Sequence, residues 1–366
     1  MNERTIGVGL IGTGFARTTQ IPCLQATPGF EVVGILSRNM TRAYDLAKEF
    51  NLRRAFDDLE RMLAVPEIEL VIVASPPHLH LPHTLAALRA GKHVLCEKPT
   101  ALHAGEAEEM LAAARASGRL HLLDHEMRFH PRRRMLREMV REGFLGRLYS
   151  VEYRMAGAFR LDPARVWSWW SDASKGGGVL GALGSHAVDS IRSWVGEIAE
   201  VRGDLEIGIE QRPDPETGEP RTVTADDYAV AWMRLAGGGH ANVTLTAVAR
   251  EDPTQRIVLH GDRGSLLLDE HVRLWQRTHD ASSFTEVVVD DAAPPPAGCR
   301  APDNIWTRSF LHYAVAIRDA LRQGSTQVPG AATFEDGLAN QAVLDAVRES
   351  SRRGDWVSVA SMHARV

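Results

Sequence analysis

Residues 6–14 read Ile-Gly-Val-Gly-Leu-Ile-Gly-Thr-Gly, and the whole reading of the first third of the chain hangs on them. Ile6 to Ile11 is an apolar run of strand length. Gly12-Thr13-Gly14 ends it, and a helix follows from Phe15, in which Pro22 predicts a kink or a break. Glycines at such a junction let the backbone turn tightly and approach a pyrophosphate. The helix start then supplies N–H donors and the positive end of a dipole. The third glycine of a GxGxxG pattern would fall at Arg17, so the weight of the motif rests on its place between a strand and a helix. Gly12, Gly14, Phe15 and Ala16 are the first candidate cofactor contacts.

The alternation continues outward from this turn. Val32 to Leu36 is a second apolar run, and Thr41 to Phe50 has helical composition with Thr41 as N-cap. Leu70 to Ala74 (LVIVA) is apolar throughout, as a strand covered on both faces should be. Pro82 to Ala90 reads as a helix ended by Gly91, His93 to Cys96 as a strand, Ala104 to Ser117 as a helix closed by Gly118, and Leu120 to Leu123 as another strand. Strands alternating with helices build a parallel, doubly wound α/β sheet. After about residue 130 the pattern changes. Leu148 to Arg154, Asp227 to Leu235, His240 to Ala249, Arg256 to His260, Ser265 to Leu268 and Val272 to Gln276 follow one another through Gly-rich turns, which suggests an antiparallel sheet. Helical patterns follow Gly178 and Trp306, and Asp291 to Pro302, with three consecutive prolines, reads as a loop. The chain therefore divides into a dinucleotide-binding domain over 1–127 and an α+β substrate-binding domain over 128–366, to which the resemblance described below adds a role in oligomerisation.

Composition narrows the function classes. With 366 residues, 44% hydrophobic and 24% charged, the chain reads as a globular protein with a sizeable core. A net charge of −5 argues against a nucleic-acid surface, and Arg132-Arg133-Arg134 reads as a solvated helix face. Cys23, Cys96 and Cys299 form no CxxC pair, which favours a reducing compartment. No signal peptide is recognisable, and no apolar run approaches the ~18 residues of a membrane span. The expected location is the cytoplasm.

Four further segments carry candidate chemistry. The second strand ends at Ser37-Arg38, with Arg42 one turn on. A carboxylate here would accept from the ribose 2′-OH of NAD, whereas a hydroxyl and arginines suit the 2′-phosphate of NADP. NADP is the preferred cofactor and NAD the alternative. Ala74-Ser75-Pro76 follows a buried strand, where ligands bind in such sheets, and His80 lies close behind. His78, His80 and His83 lack a carboxylate or cysteine complement, so no metal is expected. Cys96-Glu97-Lys98-Pro99 ends another strand, and a lysine there can stabilise negative charge on a substrate oxygen. Finally, the glycines of 176–184 suit a helix start with His186 in its early turns. A histidine there can exchange a proton with a hydroxyl, and Asp189 could orient its ring.

Together, GLIGTGFAR, ALRAGKHVLCEKP, the Arg128 to Pro131 tetrapeptide RFHP, GGGVLGALGSHAVD, GDRGSLLLD and FEDGLANQAVLDAVRESSRRGDW make the chain resemble the Gfo/Idh/MocA oxidoreductases. That resemblance implies a Rossmann domain followed by an open, mainly antiparallel sheet. It implies that Lys98 matches the family's active-site lysine and His186 its proton-transferring histidine, facing the nicotinamide from opposite domains. It also implies a cis Lys98–Pro99 peptide, sugar or polyol substrates, and homodimers or homotetramers formed through the sheet. Arg128, Trp170 and Asp172 join Lys98 and His186 as expected substrate contacts. One departure stands out. The family's usual Asp-x-x-x-His is Ala182-x-x-x-His186 here, which removes a carboxylate one α-helical turn before the histidine. Asp172 is the leading candidate to take its place, ahead of Glu126 and Asp189.

The expected function is hydride transfer between a nicotinamide and a sugar, inositol or related polyol. Two alternatives stay open. One is a non-enzymatic cofactor or sugar sensor on the same fold. The other is an enzyme that uses tightly held NAD for elimination or hydrolysis through a keto intermediate.

Overall fold

The computed structural model describes residues 4–290 and 294–363. These form two compact units. The first holds residues 4–101, 105–130 and 294–338, and the second holds 102–104, 131–290 and 339–363.

In the first unit, β1 (Ile6–Ile11) is buried along its whole length, because a strand inside a doubly covered sheet has no solvent face. After the glycine turn the chain makes a π-helical turn, Ala16–Gln20, and continues as α1 (Ile21–Ala26). The break expected at Pro22 is thus a change of helix type. Pro22 sits in the first turn of α1, and the wider turn upstream relieves the clash its ring would make with the carbonyl four residues back. There follow β2 (Phe30–Leu36), α2 (Met40–Glu49), β3 (Arg54–Phe56), α3 (Leu59–Leu63), β4 (Ile68–Val73), α4 (His80–Arg89), β5 (His93–Cys96), α5 (Ala104–Ser117) and β6 (His121–Leu123). The N-cap of α2 is Asn39, not Thr41: its side chain accepts from the Arg42 N–H at 3.1 Å.

The strands run parallel in the order β6-β5-β4-β1-β2-β3, and Ala332–Thr333 adds antiparallel to β6. Successive residues face opposite layers. Leu70 and Ile72 join Ile6, Val8 and Leu10 in one core cluster, whereas Val71 and Val73 join the other with Val94 and Met110. The first cluster is completed by Phe310, Tyr313 and Ile317 of the helix Ile305–Arg322. This is why residues 294–338 belong to the first unit, far beyond the boundary read at residue 127. Pro294 to Pro302 is turn and loop, and Asp291 to Ala293 of the expected loop lie outside the described residues.

The second unit carries α6 (Pro131–Arg141), β7 (Leu148–Ala156), a π-helical turn Leu180–Gly184, α7 (Ser185–Val195) and β8 (Ile198–Glu206). It continues with β9 (Gln211–Pro213), β10 (Pro220–Thr222), β11 (Tyr228–Leu235), β12 (His240–Thr246), β13 (Thr254–Gly261), β14 (Gly264–Leu268), β15 (Leu274–Thr278) and β16 (Thr285–Glu286). Its large sheet has the order β16-β15-β14-β13-β7-β12-β11-β8, closed by Val357–Ser358. Every pairing in it is antiparallel except β12 with β7. The arginine run at the start of α6 is not a uniformly solvated face. Arg134 is exposed, but Arg133 is buried, donates to Ser190 Oγ and Gln255 Oε1, and lies 5.3 Å above the Trp194 ring. Among the described residues no helix is long and apolar enough to cross a membrane.

Candidate active site

The hydrogen-bond ladder of the first sheet continues past the carboxyl ends of its strands. Gly12 donates to Leu36 O, Ser37 to Phe56 O, Ala74 to Ile11 O, Glu97 to Val73 O, and Asp124 to Cys96 O, all at 2.8–3.0 Å. The residues just after β1, β2, β4, β5 and β6 are therefore fixed side by side along one edge. From β1 the strand order runs outward to β2 and β3 on one side and to β4, β5 and β6 on the other. The junction of β1 and β4 is thus the switch point at which ligands bind in such sheets. Gly12 to Gly14 and Ala74 to Pro76 flank it.

Gly12 has φ +108°, and a Cβ there would stand 2.6 Å from the Ala74 carbonyl carbon and 2.9 Å from Ser75 N, so only glycine fits. A Cβ on Gly14 would meet nothing within 4 Å. That opening at a helix start, with Phe15 and Ala16 leading into the π-helical turn, fits a pyrophosphate. Arg17, where a third glycine was absent, is exposed and pairs with Glu49 at 2.9 Å. Beyond β2, Ser37 Oγ accepts from Asn39 N at 3.3 Å, and the side chains of Arg38 and Arg42 are exposed.

On the other flank, Ser75 is buried and its Oγ lies 3.0 Å from His83 Nδ1. His80 is fully buried, with Nε2 2.8 Å from Ser75 O and Nδ1 2.9 Å from Pro99 O. Burial pushes this imidazole down to about 4 against the pull of those carbonyls, so the ring is neutral at pH 7. The ring thus sits between the loops after β4 and β5, and in its neutral form its one N–H is donated to one of these two carbonyls. Burial, helped by His78 and Arg38, also lowers His83 to about 4. Among the described residues no cluster of three His, Cys, Asp or Glu side chains could hold a metal. Lys98 follows Glu97 at the end of β5, half-buried, and the Lys98–Pro99 peptide is cis.

In the second unit, Gly176 to Gly178 form a tight bend before the helix. A Cβ on Gly177 would strike the backbone carbonyls of Trp169 and Trp170. Asp226 Oδ2 accepts from Leu180 N at 2.7 Å and so caps the helix start. His186 is the second residue of α7 and is buried. Ala182 lies inside the π-helical turn, where hydrogen bonds span five residues instead of four. Four residues make about one turn in either helix type, so Ala182 stays about one turn before His186. Asp189 accepts from Asn340 Nδ2 at 3.0 Å. Asp172 accepts from Ser174 N and Oγ and pairs with Lys175 at 3.5 Å. Those hydrogen bonds and the ammonium hold its carboxyl below the usual range, against a burial contribution that would raise it. Trp170 is half-buried, with the Arg160 guanidinium 5.1 Å above its ring. Back in the first unit, Arg128 grips Asp336 with both terminal nitrogens, at 3.1 and 3.3 Å, and Glu126 is buried.

Sequence reasoning missed Gln20, Asp124 and Asp226. Gln20 Nε2, fully buried, donates to Glu97 Oε1 at 2.8 Å and to Asp124 Oδ2 at 2.7 Å. The one available signal was that Asp124 directly follows an apolar strand, as Glu97 does.

Known proteins agree with this architecture. Residues 6–125 match the oxidoreductase family with an NAD-binding Rossmann fold, and residues 133–267 match the C-terminal domain of GFO/IDH/MocA proteins. An uncharacterized oxidoreductase of Synechocystis is 30% identical over 97% of this chain and 96% of its own. The human glucose-fructose oxidoreductase domain-containing protein 2 is 28% identical over 96% of this chain and 93% of its own. Levoglucosan dehydrogenase in complex with NADH and L-sorbose superposes with a TM-score of 0.88 at 26% identity, over 98% of this chain and 100% of that one. The chain belongs to the Gfo/Idh/MocA family of oxidoreductases, with an N-terminal NAD-binding Rossmann fold.

Proposed function

We propose that the protein catalyses reversible oxidation of a carbinol carbon of a sugar or related polyol, with a nicotinamide cofactor as hydride partner. The observation that carries this reading is the carboxyl edge of the first sheet, where Gly12, Gly14, Ser75 and Lys98 are fixed around one switch point. The levoglucosan dehydrogenase structures with NADH, L-sorbose or levoglucosan support the substrate class. Gly12, Gly14, Phe15 and Ala16 would hold the pyrophosphate, and the loops after β4 and β5, with Ala74, Pro76, His80 and Glu97, would hold the nicotinamide half. Arg38 and Arg42 form no ion pair among the described residues and no carboxylate ends β2, so their guanidiniums suit a 2′-phosphate, and NADP is the preferred partner. A nicotinamide held there would supply the hydride chemistry.

The chain's own groups handle the proton and the charge. His186 takes the hydroxyl proton on a ring nitrogen in oxidation and returns it in reduction, help worth ~10²–10⁴-fold. The Lys98 ammonium stabilises the alkoxide-like oxygen. Arg128, Trp170 and Asp172 are the proposed substrate contacts. A cofactor-linked screen of sugars and polyols with NAD and NADP, at several pH values, tests the reading. Turnover with neither cofactor on any of them would reject it. We further propose cytoplasmic location, since Cys23, Cys96 and Cys299 are free thiols, and self-association through the outer face of the large sheet. That face exposes Trp232 by 58% amid Arg154, Arg202, Asn242 and Thr244. Trp232→Glu should shift the protein to monomer in sedimentation.

A further inference from the structure

Glu97 and Asp124 are neighbours by sheet register. Cys96 pairs with Leu123 in the parallel ladder, so the next residue of each strand stands beside the other at the carboxyl edge. Asp124 is fully buried and Glu97 is 7% exposed. Their donors are few. The two amide hydrogens of Gln20 go one to each carboxyl group, and a further donor, Lys98 N, lies 3.3 Å from Glu97 Oε2. Among the described residues no donor reaches Asp124 Oδ1. A carboxylate offers about four acceptor sites, and a buried one with a single donor is costly. Two such charges side by side are costlier still.

We propose that Glu97 and Asp124 share one proton at neutral pH, seated on Asp124 and donated to Glu97, and that this acid pair with Gln20 positions Lys98. The positioning half rests on the reading of Lys98 as an active-site residue, and the proton itself does not. The count of partners then closes. Asp124 contributes the donor that the pair lacks, Glu97 keeps a single negative charge, and that charge faces Lys98. Gln20 belongs to the π-helical turn directly after Gly14, so the pair ties the glycine turn to the lysine strand. The surrounding charges agree. Burial raises both carboxyls, Glu97 against the opposing pull of Lys98 and Asp124 with further push from Glu97 and Glu126. The thiol of Cys96 beside the pair is pushed up by burial and by both acids, and that of Cys23 chiefly by burial, so neither thiol competes for the charge. The proton belongs to the pair as a unit.

Infrared difference spectroscopy on the intact, cofactor-free protein tests the proton directly. At neutral pH the wild type should show the carbonyl stretch of a protonated carboxylic acid. One such band should be lost in Asp124→Asn, and also in Glu97→Gln, because neutralising either partner lets the other ionise or removes it. Glu126 is buried too and burial raises the half-buried Asp226, so the variant-minus-wild-type difference is what counts. Should Asp124→Asn not fold, Glu97→Gln gives the same readout. An unchanged band in whichever variants fold, or no such band in the wild type, overturns the shared proton. For positioning, the pH profile of turnover is read: the alkaline fall of the wild type should move to higher pH in Asp124→Asn, where the donor cannot be titrated away. An unmoved limb overturns the positioning role. Failure of the dehydrogenase reading would appear separately, as absent turnover with the infrared difference intact.

Discussion

Gly14→Ala separates cofactor binding from folding. In the structure a Cβ at Gly14 meets nothing within 4 Å, and the residue has no positive φ, so alanine should cost the fold within about ±0.5 kcal/mol. At about 2–4 °C per kcal/mol for a unit of this size, the cofactor-free melting temperature should move by no more than about 2 °C. The same methyl would occupy the space that a pyrophosphate needs against the backbone. Crowding a packed contact by one methyl costs about 1–3 kcal/mol, which is about 5–150-fold in Kd. Gly12→Ala is the contrast. Its Cβ would press on Ala74 and Ser75 in a left-handed backbone, so it adds about 1–3 kcal/mol of strain to a similar overpacking cost. It should lower the melting temperature by several degrees before any cofactor is added. The assay is thermal unfolding without cofactor, followed by calorimetric titration with NADPH and NADH. If Gly14→Ala binds both cofactors as tightly as the wild type, this turn does not hold the pyrophosphate.

Lys98→Ala and His186→Ala should each cut turnover by about 10²–10⁴-fold while cofactor Kd stays within a few-fold, as single-turnover kinetics beside titration would show. Arg38→Asp should weaken NADPH by about 1.5–3 kcal/mol and leave NADH nearly unchanged, and a parallel loss for both would contradict the 2′-phosphate assignment. Arg133→Ala should destabilise the protein by about 2–4 kcal/mol in denaturant melts, since it strands Ser190 and Gln255 in the interior, and a loss below about 0.5 kcal/mol would count against this. The raised carboxyl of Asp124 binds its proton more tightly in the folded than in the unfolded chain. Its stabilising contribution is therefore complete at acid pH and fades as pH climbs above the ordinary carboxyl range towards the folded value, so Asp124→Asn should flatten that fall in a series of melts.

Much of the fold was legible because burial leaves a strong pattern. β5 and α5 have the bounds read from sequence, the one as a short apolar run after Gly91, the other as a helix closed by Gly118. β3 and β8 were not legible. Arg54–Phe56 has a single apolar pair, and Ile198–Glu206 buries only Ile198 and Val201, so neither shows a period. The lysine and the glycine turn could be found because they sit at the ends of apolar strands. Gln20, Asp124 and Glu97 could not be joined from sequence, since 104 residues part Gln20 from Asp124 and only the sheet register brings them together. The wider turn before α7 was not legible for another reason: nothing in LGALG announces a π-helical turn.

The most direct measurement of hydride transfer uses a sugar or polyol deuterated at its reacting carbon. The substrate that turns over in the cofactor-linked screen is labelled, incubated with oxidised cofactor, and the cofactor is recovered for mass spectrometry. The account predicts one deuterium in the reduced nicotinamide, appearing with a rate that falls together with turnover in Lys98→Ala and His186→Ala. Label retained wholly in the sugar, or lost to water while the cofactor stays oxidised, would contradict it.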